Sequence, residues 1–343
     1  MKGYDRLGFL GGSDAAAILG VSPFDTPLDL YLLKLGRKVK SFTPQQLRAL
    51  KRGKREEPRI VDDLVEDYGI EVVKRSTEQE PNRYSDAEHP FLAAEIDFEW
   101  RVRREDVARF DLPEELIGTV QNGEVKTVHP FASAKFGAAE SDEVPIEYAA
   151  QAMHGLMVTG RDLCMFAVRD GFDLTLYWIP RDDETIAGMR AREVAFWHEN
   201  VLAGVPPDPH TLEDVQQLFQ TAPASRTEAT EEIAGLLREL DLVKQQRAAA
   251  DDREVEIKYE IGRFMLGEQA LALKNGGKIE PTAELVAGKH LLTRSGTTLL
   301  TVALQTQTRI DSDAIREKHP EIAAACTKSV SFIRFDKPRK AKK

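Results

Sequence analysis

The residues whose types and spacing best suit chemistry are Asp97, Glu124 and Lys126. In Gly123-Glu124-Val125-Lys126, strand alternation projects Glu124 and Lys126 to one side and sends Val125 into the core. Upstream, Leu92-Ala93-Ala94-Glu95-Ile96-Asp97-Phe98 alternates as well: Leu92, Ala94, Ile96 and Phe98 take one face, Glu95 and Asp97 the other. As neighbouring strands, the two segments set an Asp, a Glu and a Lys on one polar surface above an apolar layer. Hard oxygen ligands of this kind hold Mg2+, with Mn2+ as a substitute. An ammonium beside them orients or acidifies an attacking water and offsets phosphoryl charge. The chemistry expected is metal-assisted phosphodiester hydrolysis. Glu-x-Lys pairs are common on solvated strands, so the weight rests on what stands around this one.

The elements that must position these groups follow from local signals. A glycine turn at residues 7–13 leads into a short alanine-rich helix, capped by Ser13 or Asp14 and ended by Gly20. Free N–H groups at such a start bind phosphate, and Ser13 and Arg6 add a hydroxyl and a guanidinium fork. Thr26-Pro27 opens a second helix and Thr43-Pro44 a third, which runs to Tyr68 with a break or kink near Gly53 and Pro58 and ends at Gly69. Glu57, on that third helix, is a further carboxylate. Ile70–Val73 suggests a strand, and the charged segment from Arg101 to Leu116 reads as a loop or insertion. Residues 127–144 are loop-like, anchored by Phe131 and Phe136. Pro145–Val158 is an amphipathic helix on which Tyr148 and Gln151 share a face. Two strands then flank the turn Arg169-Asp170-Gly171, followed by a helix over residues 183–203.

At 343 residues the chain has room for one large domain or two ordinary ones. The spacing predicts a domain over 1–205, a linker rich in Pro, Thr and Ala over 206–226, and a long helix or helical hairpin over 227–270. A small β-rich region over 271–336 and a basic tail over 337–343 complete the chain. The long helix would span roughly 60 Å, or else turn at Ala248–Asp252; its apolar stripe is a packing or coiled-coil seam. A hydrophobic content of 42% with 30% charged residues describes a soluble globular protein, and a net charge of -10 argues against a general DNA-coating role. Cys164 and Cys326 show no metal spacing and read as inert thiols. No apolar leader or membrane-length run is present, so a cytoplasmic location is expected.

Together these segments resemble the YqaJ-type viral recombinase family, phage exonucleases related to lambda exonuclease within the PD-(D/E)xK nuclease superfamily. The resemblance covers most of residues 5–200. It rests on an Arg followed by Gly-Gly-Ser-Asp-Ala-Ala-Ala-Ile-Leu-Gly, on Arg52-Gly53-Lys54-Arg55-Glu56-Glu57-Pro58, and on His89-Pro90-Phe91-Leu92 before Asp97. Glu124-Val125-Lys126-Thr127 and Tyr148-Ala149-Ala150-Gln151 follow in order, and Arg309-Ile310-Asp311, His319-Pro320 and Arg334-Phe335 look like a tail that many phage members carry. Ile96 departs from the pattern where the superfamily has proline, Glu95 and Glu99 are rival ligands, and the loop from Arg101 to Gly118 is long.

The resemblance implies an α/β (α+β) fold: a central mixed sheet flanked by helices, followed by a helical and β C-terminal region. It implies that Asp97 and Glu124 carry the metal with the Val125 carbonyl, and that Glu57 completes the site directly or through water. Lys126 would activate the water with support from Gln151, while Arg6 and Ser13 grip a terminal 5′-phosphate. The implied activity is a Mg2+-dependent 5′-to-3′ exonuclease on linear double-stranded DNA, acting as a ring-shaped trimer. It would supply 3′ single strands to an annealing protein of the RecT or Redβ type. Two rivals stand beside it: an endonuclease of the same superfamily, and a decayed DNA-end-binding module, against which the intact Asp97, Glu124 and Lys126 speak.

Overall fold

The strand Leu163–Val168 is apolar at every position, and its side chains divide by parity between two cores. Cys164, Phe166 and Val168 pack into one, Leu163, Met165 and Ala167 into the other. A strand with this pattern must be covered on both faces, and the sheet around it is. The computed structural model describes residues 6–171, 173–221, 225–274, 289–295, 297–303 and 312–327. The chain separates into two units, residues 1–222 and 223–343.

In the first unit the helices are α1 (Gly12–Ile18), α2 (Pro27–Lys34), α3 (Pro44–Glu66), α4 (Arg104–Phe110), α5 (Ile146–Thr159), α6 (Asp183–Ala195) and α7 (Leu212–Thr221). The strands are β1 (Glu71–Arg75), β2 (Arg83–Ser85), β3 (Ala93–Glu95), β4 (Phe98–Arg101), β5 (Val120–Val128), β6 (Leu163–Asp170) and β7 (Asp173–Pro180). Five of them form a sheet in the order β1-β4-β5-β6-β7, while β2 and β3 pair separately. Only β5 and β6 run parallel, and α5 supplies their crossover; every other neighbouring pair is antiparallel. This is the expected mixed sheet flanked by helices. One core lies on the α1, α2 and α5 side around Leu28, Leu156 and Phe166; the other lies on the α3 side around Leu64, Trp100 and Met165.

Several local expectations are met. Thr26 and Thr43 cap their helices by accepting from Asp29 N–H and Gln46 N–H, with Pro27 and Pro44 at the first position. Gly69 takes a φ of 68° where α3 ends. The Asp-Gly turn joins β6 to β7, and α6 continues into a π-helical segment, Phe196–Leu202.

Others are corrected. The cap of α1 is Gly11, so Ser13 lies within the helix; Asp14 instead reaches back to Gly11 N–H at 3.0 Å while its carboxylate holds Lys34. α3 runs unbroken through Gly53 and Pro58, its second half anchored by buried Ile60, Val61 and Leu64. The segment read as one strand through Asp97 is two: β3 pairs with β2, β4 joins the main sheet, and Ile96-Asp97 is the bend where the chain changes partners. That change interrupts the alternation, so Ala93 and Ala94 are both buried.

The charged segment after Arg101 carries α4, closed at its start by an Arg103–Asp106 ion pair at 2.9 Å, and a 3-10 turn, Glu114–Leu116. Phe136 is buried as an anchor should be, but Phe131 is 90% exposed and anchors nothing. The stretch read as a linker contains α7. Its buried Asp214 accepts from Thr26 Oγ1 at 2.7 Å, docking this segment beside α2.

The second unit contains α8 (Glu231–Lys274), β8 (Lys289–Arg294), β9 (Thr297–Ala303), α9 (Ser312–Lys318) and α10 (Pro320–Cys326). α8 does not turn at residues 248–252, because no Gly or Pro interrupts 236–261 and Ala248–Ala250 are the strongest helix formers. In the region expected to be β-rich, the described residues form one hairpin and two short helices. Arg309, Ile310, Asp311, Arg334, Phe335 and the basic tail lie outside the described residues. Among the described residues no helix is long and apolar enough to cross a membrane.

Candidate active site

Asp97 leaves the bend one residue before β4, and the antiparallel register opposes Phe98 to Gly123. Stepping one residue outward from that pair brings Asp97 alongside Glu124. The approach is close because position 123 has no side chain: the Phe98 ring fills the space, and a Cβ there would lie 2.2 Å from it. The N–H of Val125 donates to Asp97 Oδ2 at 2.8 Å, tying the two segments together. The Val125 side chain enters the core on the α3 side.

Glu124 is 4% exposed, and its Oε2 accepts from Lys126 Nζ at 2.9 Å and from Gln151 Nε2 at 2.6 Å. The strand thus does place Glu124 and Lys126 on one side. α5 presents the predicted face: the Lys126 ammonium lies 5.6 Å from the centroid of the Tyr148 ring and 5.5 Å from that of Phe166.

The charges are strongly coupled. Burial, with the Asp97 charge adding and Lys126 opposing, pushes Glu124 up to about 8. Burial also raises Asp97, against the pull of Lys126 and the Val125 N–H, and its carboxyl is close enough to Glu124 to share a hydrogen bond. Glu57, half-buried, is pushed to about 7 by burial and then by Asp97, while Lys54 and Lys126 draw it back. Burial acts to lower Lys126, but the charges of Glu124 and Asp97 overcome it and raise the ammonium's pKa. Three acids and a lysine therefore sense one another.

Among the described residues no three His, Cys, Asp or Glu side chains form a ready-made metal cage. Mg2+ does not require one, since it is held by one or two carboxylates together with waters and substrate phosphate oxygens. The paired Asp97 and Glu124 fit that demand, and Glu57 senses the charge of Asp97. Of the rival carboxylates, Glu95 still acts on Glu57 through its charge, whereas Glu99 is engaged elsewhere. Glu95 is exposed at the end of β3, and buried Glu99 is bonded to Arg161 at 2.9 Å and to the Tyr84 hydroxyl.

A second group lies at the start of α1. Arg6 donates to Ser13 Oγ at 2.6 Å. Lys34, almost wholly buried, holds this turn by donating to the carbonyls of Arg6 and Phe9 at 2.9 and 2.6 Å and to Asp14 at 2.7 Å. Gly12 abuts α5, where a Cβ would lie 3.1 Å from Gln151 Cγ. The residue that holds Glu124 is therefore packed against the residue preceding Ser13.

Sequence reasoning missed Lys34 and His154. His154 is wholly buried, with Nε2 3.0 Å from the Ala93 carbonyl and Nδ1 2.9 Å from Glu193. The Ala93 carbonyl only accepts, so Nε2 carries a proton; burial acts to lower the pKa of the ring, and the charge of Glu193 outweighs it to raise it. The spacing Tyr148, Gln151, His154 was the available signal, since residues three apart share a helical face.

Residues 4–162 match the profile of the YqaJ-like viral recombinase domain. The chain is 28% identical over 209 residues to "Uncharacterized protein YqaJ" of Bacillus subtilis (strain 168), covering 59% of this chain and 56% of that protein, little more than half its length. An alkaline exonuclease (LHK-Exo) from Laribacter hongkongensis aligns with a TM-score of 0.41 at 19% identity, over 58% of this chain and 91% of its own. A phage related exonuclease from Haemophilus somnus 129PT aligns with a TM-score of 0.37 at 16% identity, over 59% of this chain and 99% of its own.

Proposed function

We propose, from the match of residues 4–162 to the YqaJ-like viral recombinase domain, that the chain is a Mg2+-dependent exonuclease of the PD-(D/E)xK type. It degrades one strand of linear duplex DNA from a 5′ end and leaves 3′ single strands for an annealing protein of the RecT or Redβ type. The observation that carries the reading is the bonded set Asp97, Glu124, Lys126 and Gln151, with both carboxyl groups buried or half-buried against a lysine.

When bound, Mg2+ supplies Lewis-acid stabilisation of charge on the phosphoryl oxygens. Asp97, Glu124 and the Val125 carbonyl would hold it, and Glu57 would reach it through water. Lys126 orients the attacking water for in-line approach and offsets the developing charge. Its own high pKa keeps it an ammonium, so it acts as a donor and charge stabiliser, not as a free-amine base. Gln151 holds Glu124 Oε2 in place and so preserves the spacing of the carboxylates. Arg6 and Ser13 grip the terminal phosphate, with Gly12 transmitting its position to Gln151 through direct packing.

The test is digestion of 5′-phosphorylated linear duplex with Mg2+, with Ca2+ as the inactive control and a closed circle alongside. The expected result is nucleotide release from the linear substrate alone. Cutting of the circle would replace this reading with an endonuclease, and no hydrolysis under Mg2+ or Mn2+ would leave an end-binding module.

A further inference from the structure

The longest element of the protein, α8, takes no part in the site, and its sequence repeats every seven residues. Ile233, Leu240 and Ile261 fall on one column of the repeat, Leu236, Val243, Ile257 and Phe264 on the column three residues later. Together they make one stripe along the helix. Leu236, Val243 and Phe264 are each more than half exposed, at 55%, 52% and 59%, and among the described residues of the second unit no strand or helix packs along α8. The centre of the stripe is different: it carries Arg247, Ala250 and Glu254 at the positions where apolar residues stand elsewhere.

We propose that α8 is the self-association element of this protein and that it pairs antiparallel with α8 of a second copy. The inference is independent of the nuclease reading. The pattern is self-complementary about Ala248-Ala249. Reversed on itself, the helix sets Ile233 opposite the partner's Phe264, Leu236 opposite the partner's Ile261 and Leu240 opposite the partner's Ile257. Three layers on each side of the centre thus set apolar against apolar, and the next sets Val243 opposite the partner's Glu254.

The charged centre selects this direction. A parallel pair would stack Arg247 on the partner's Arg247 and Glu254 on the partner's Glu254 inside the seam, where like charges repel with little solvent between them. The antiparallel pair puts Arg247 over the partner's Ala250, whose small side chain leaves room. The guanidinium is then one turn, about 6 Å along the axis, from the partner's Glu254, within reach of an ion pair. Polar residues at a seam set register and direction at some cost in stability, and these two do so here. A two-fold seam of this kind joins copies in pairs whatever arrangement the nuclease unit adopts.

Two measurements on the full-length chain test the proposal. Light scattering gives the mass of the protein and of a Leu240→Asp/Ile257→Asp variant; the expected result is that the variant has half the mass. Equal masses overturn the proposal, whether α8 folds back on its own chain or waits for a different protein. The second measurement leaves the seam intact: a nitroxide on Glu231→Cys in a Cys326→Ser background, Cys326 being the exposed thiol. An antiparallel pair places the two labels about 50 Å apart along the axis. A separation within about 25 Å, the width of two packed helices with their labels, is the parallel arrangement and also overturns it.

Discussion

Asp97 accepts a hydrogen bond from the backbone N–H of Val125 at 2.8 Å, so a carboxylate on a bend is fixed to the strand that carries Glu124 and Lys126. The bond runs between main chain and side chain. It therefore survives substitution of Glu124 or Lys126, which lets the chemical roles of those two side chains be separated from their structural ones.

Lys126→Ala should lower hydrolysis by about a thousandfold, the loss typical of removing a preorganised charge donor from a transition state. Binding of linear duplex should stay within a few-fold of the parent, because phosphate contacts elsewhere supply affinity. Digestion and binding measured on the same preparation check this. Parental activity in the variant would remove the mechanism.

Gln151 acts through Glu124, with its amide 2.6 Å from Oε2. Gln151→Ala should lower the rate by about ten- to a hundredfold, as loss of a partner to a metal ligand usually does. Part of that loss should be recovered at high Mg2+. A deficit that Mg2+ does not touch would mean Gln151 works elsewhere.

Gly123→Ala should be disproportionately destabilising. The added methyl meets the Phe98 ring at 2.2–2.5 Å, and the ring is wholly buried. Overpacking of this kind costs about 1–3 kcal/mol, so the melting temperature should fall by roughly 2–12 °C. Phe98→Leu in the same chain should restore part of it. An unshifted melting curve for Gly123→Ala would contradict the packing described.

In the presence of a chelator the protein should lose stability between pH 5 and pH 8.5. Glu57 and Glu124 titrate near 7 and 8 in the fold against 4.5 for a free glutamate. Between those values the folded chain binds more protons than the unfolded one, so stability falls as pH rises. Glu124→Gln should flatten the slope, and Mg2+ should raise the melting temperature more at pH 8.5 than at pH 5. Melting curves with and without Mg2+ at both pH values decide it; a slope of opposite sign would refute the burial of these acids.

Arg6→Ala and Ser13→Ala should slow digestion of 5′-phosphate ends by about tenfold while leaving 5′-hydroxyl ends unaffected, the loss of one charge-assisted contact. If the parent digests both ends at the same rate, these two residues do not read the phosphate.

Much of this was legible in the residues. The caps Thr26 and Thr43, the helix stop at Gly69 and the parity of Leu163–Val168 are written locally, because each depends on neighbours within four positions. Glu-x-Lys places two side chains on one face of any strand, and Tyr148 and Gln151 on one face of any helix. The Ser13 cap and the 206–226 linker misled for a related reason. Asp14 has its charge settled by Lys34, twenty residues away, and α7 is held by Thr26, far upstream in the chain.

The amino-acid sequence by itself determined which side chains carry charge, which faces they share, and that α8 has a repeating apolar stripe. Only the tertiary structure decided that Asp97 sits on a bend between two sheets, that Phe98 fills the space above Gly123, and that Gly12 presses on Gln151. The physical reason is range. Backbone sterics and side-chain periodicity act over a few residues, whereas the meeting of Asp97 with Val125, twenty-eight positions apart, exists only once the core has closed around both.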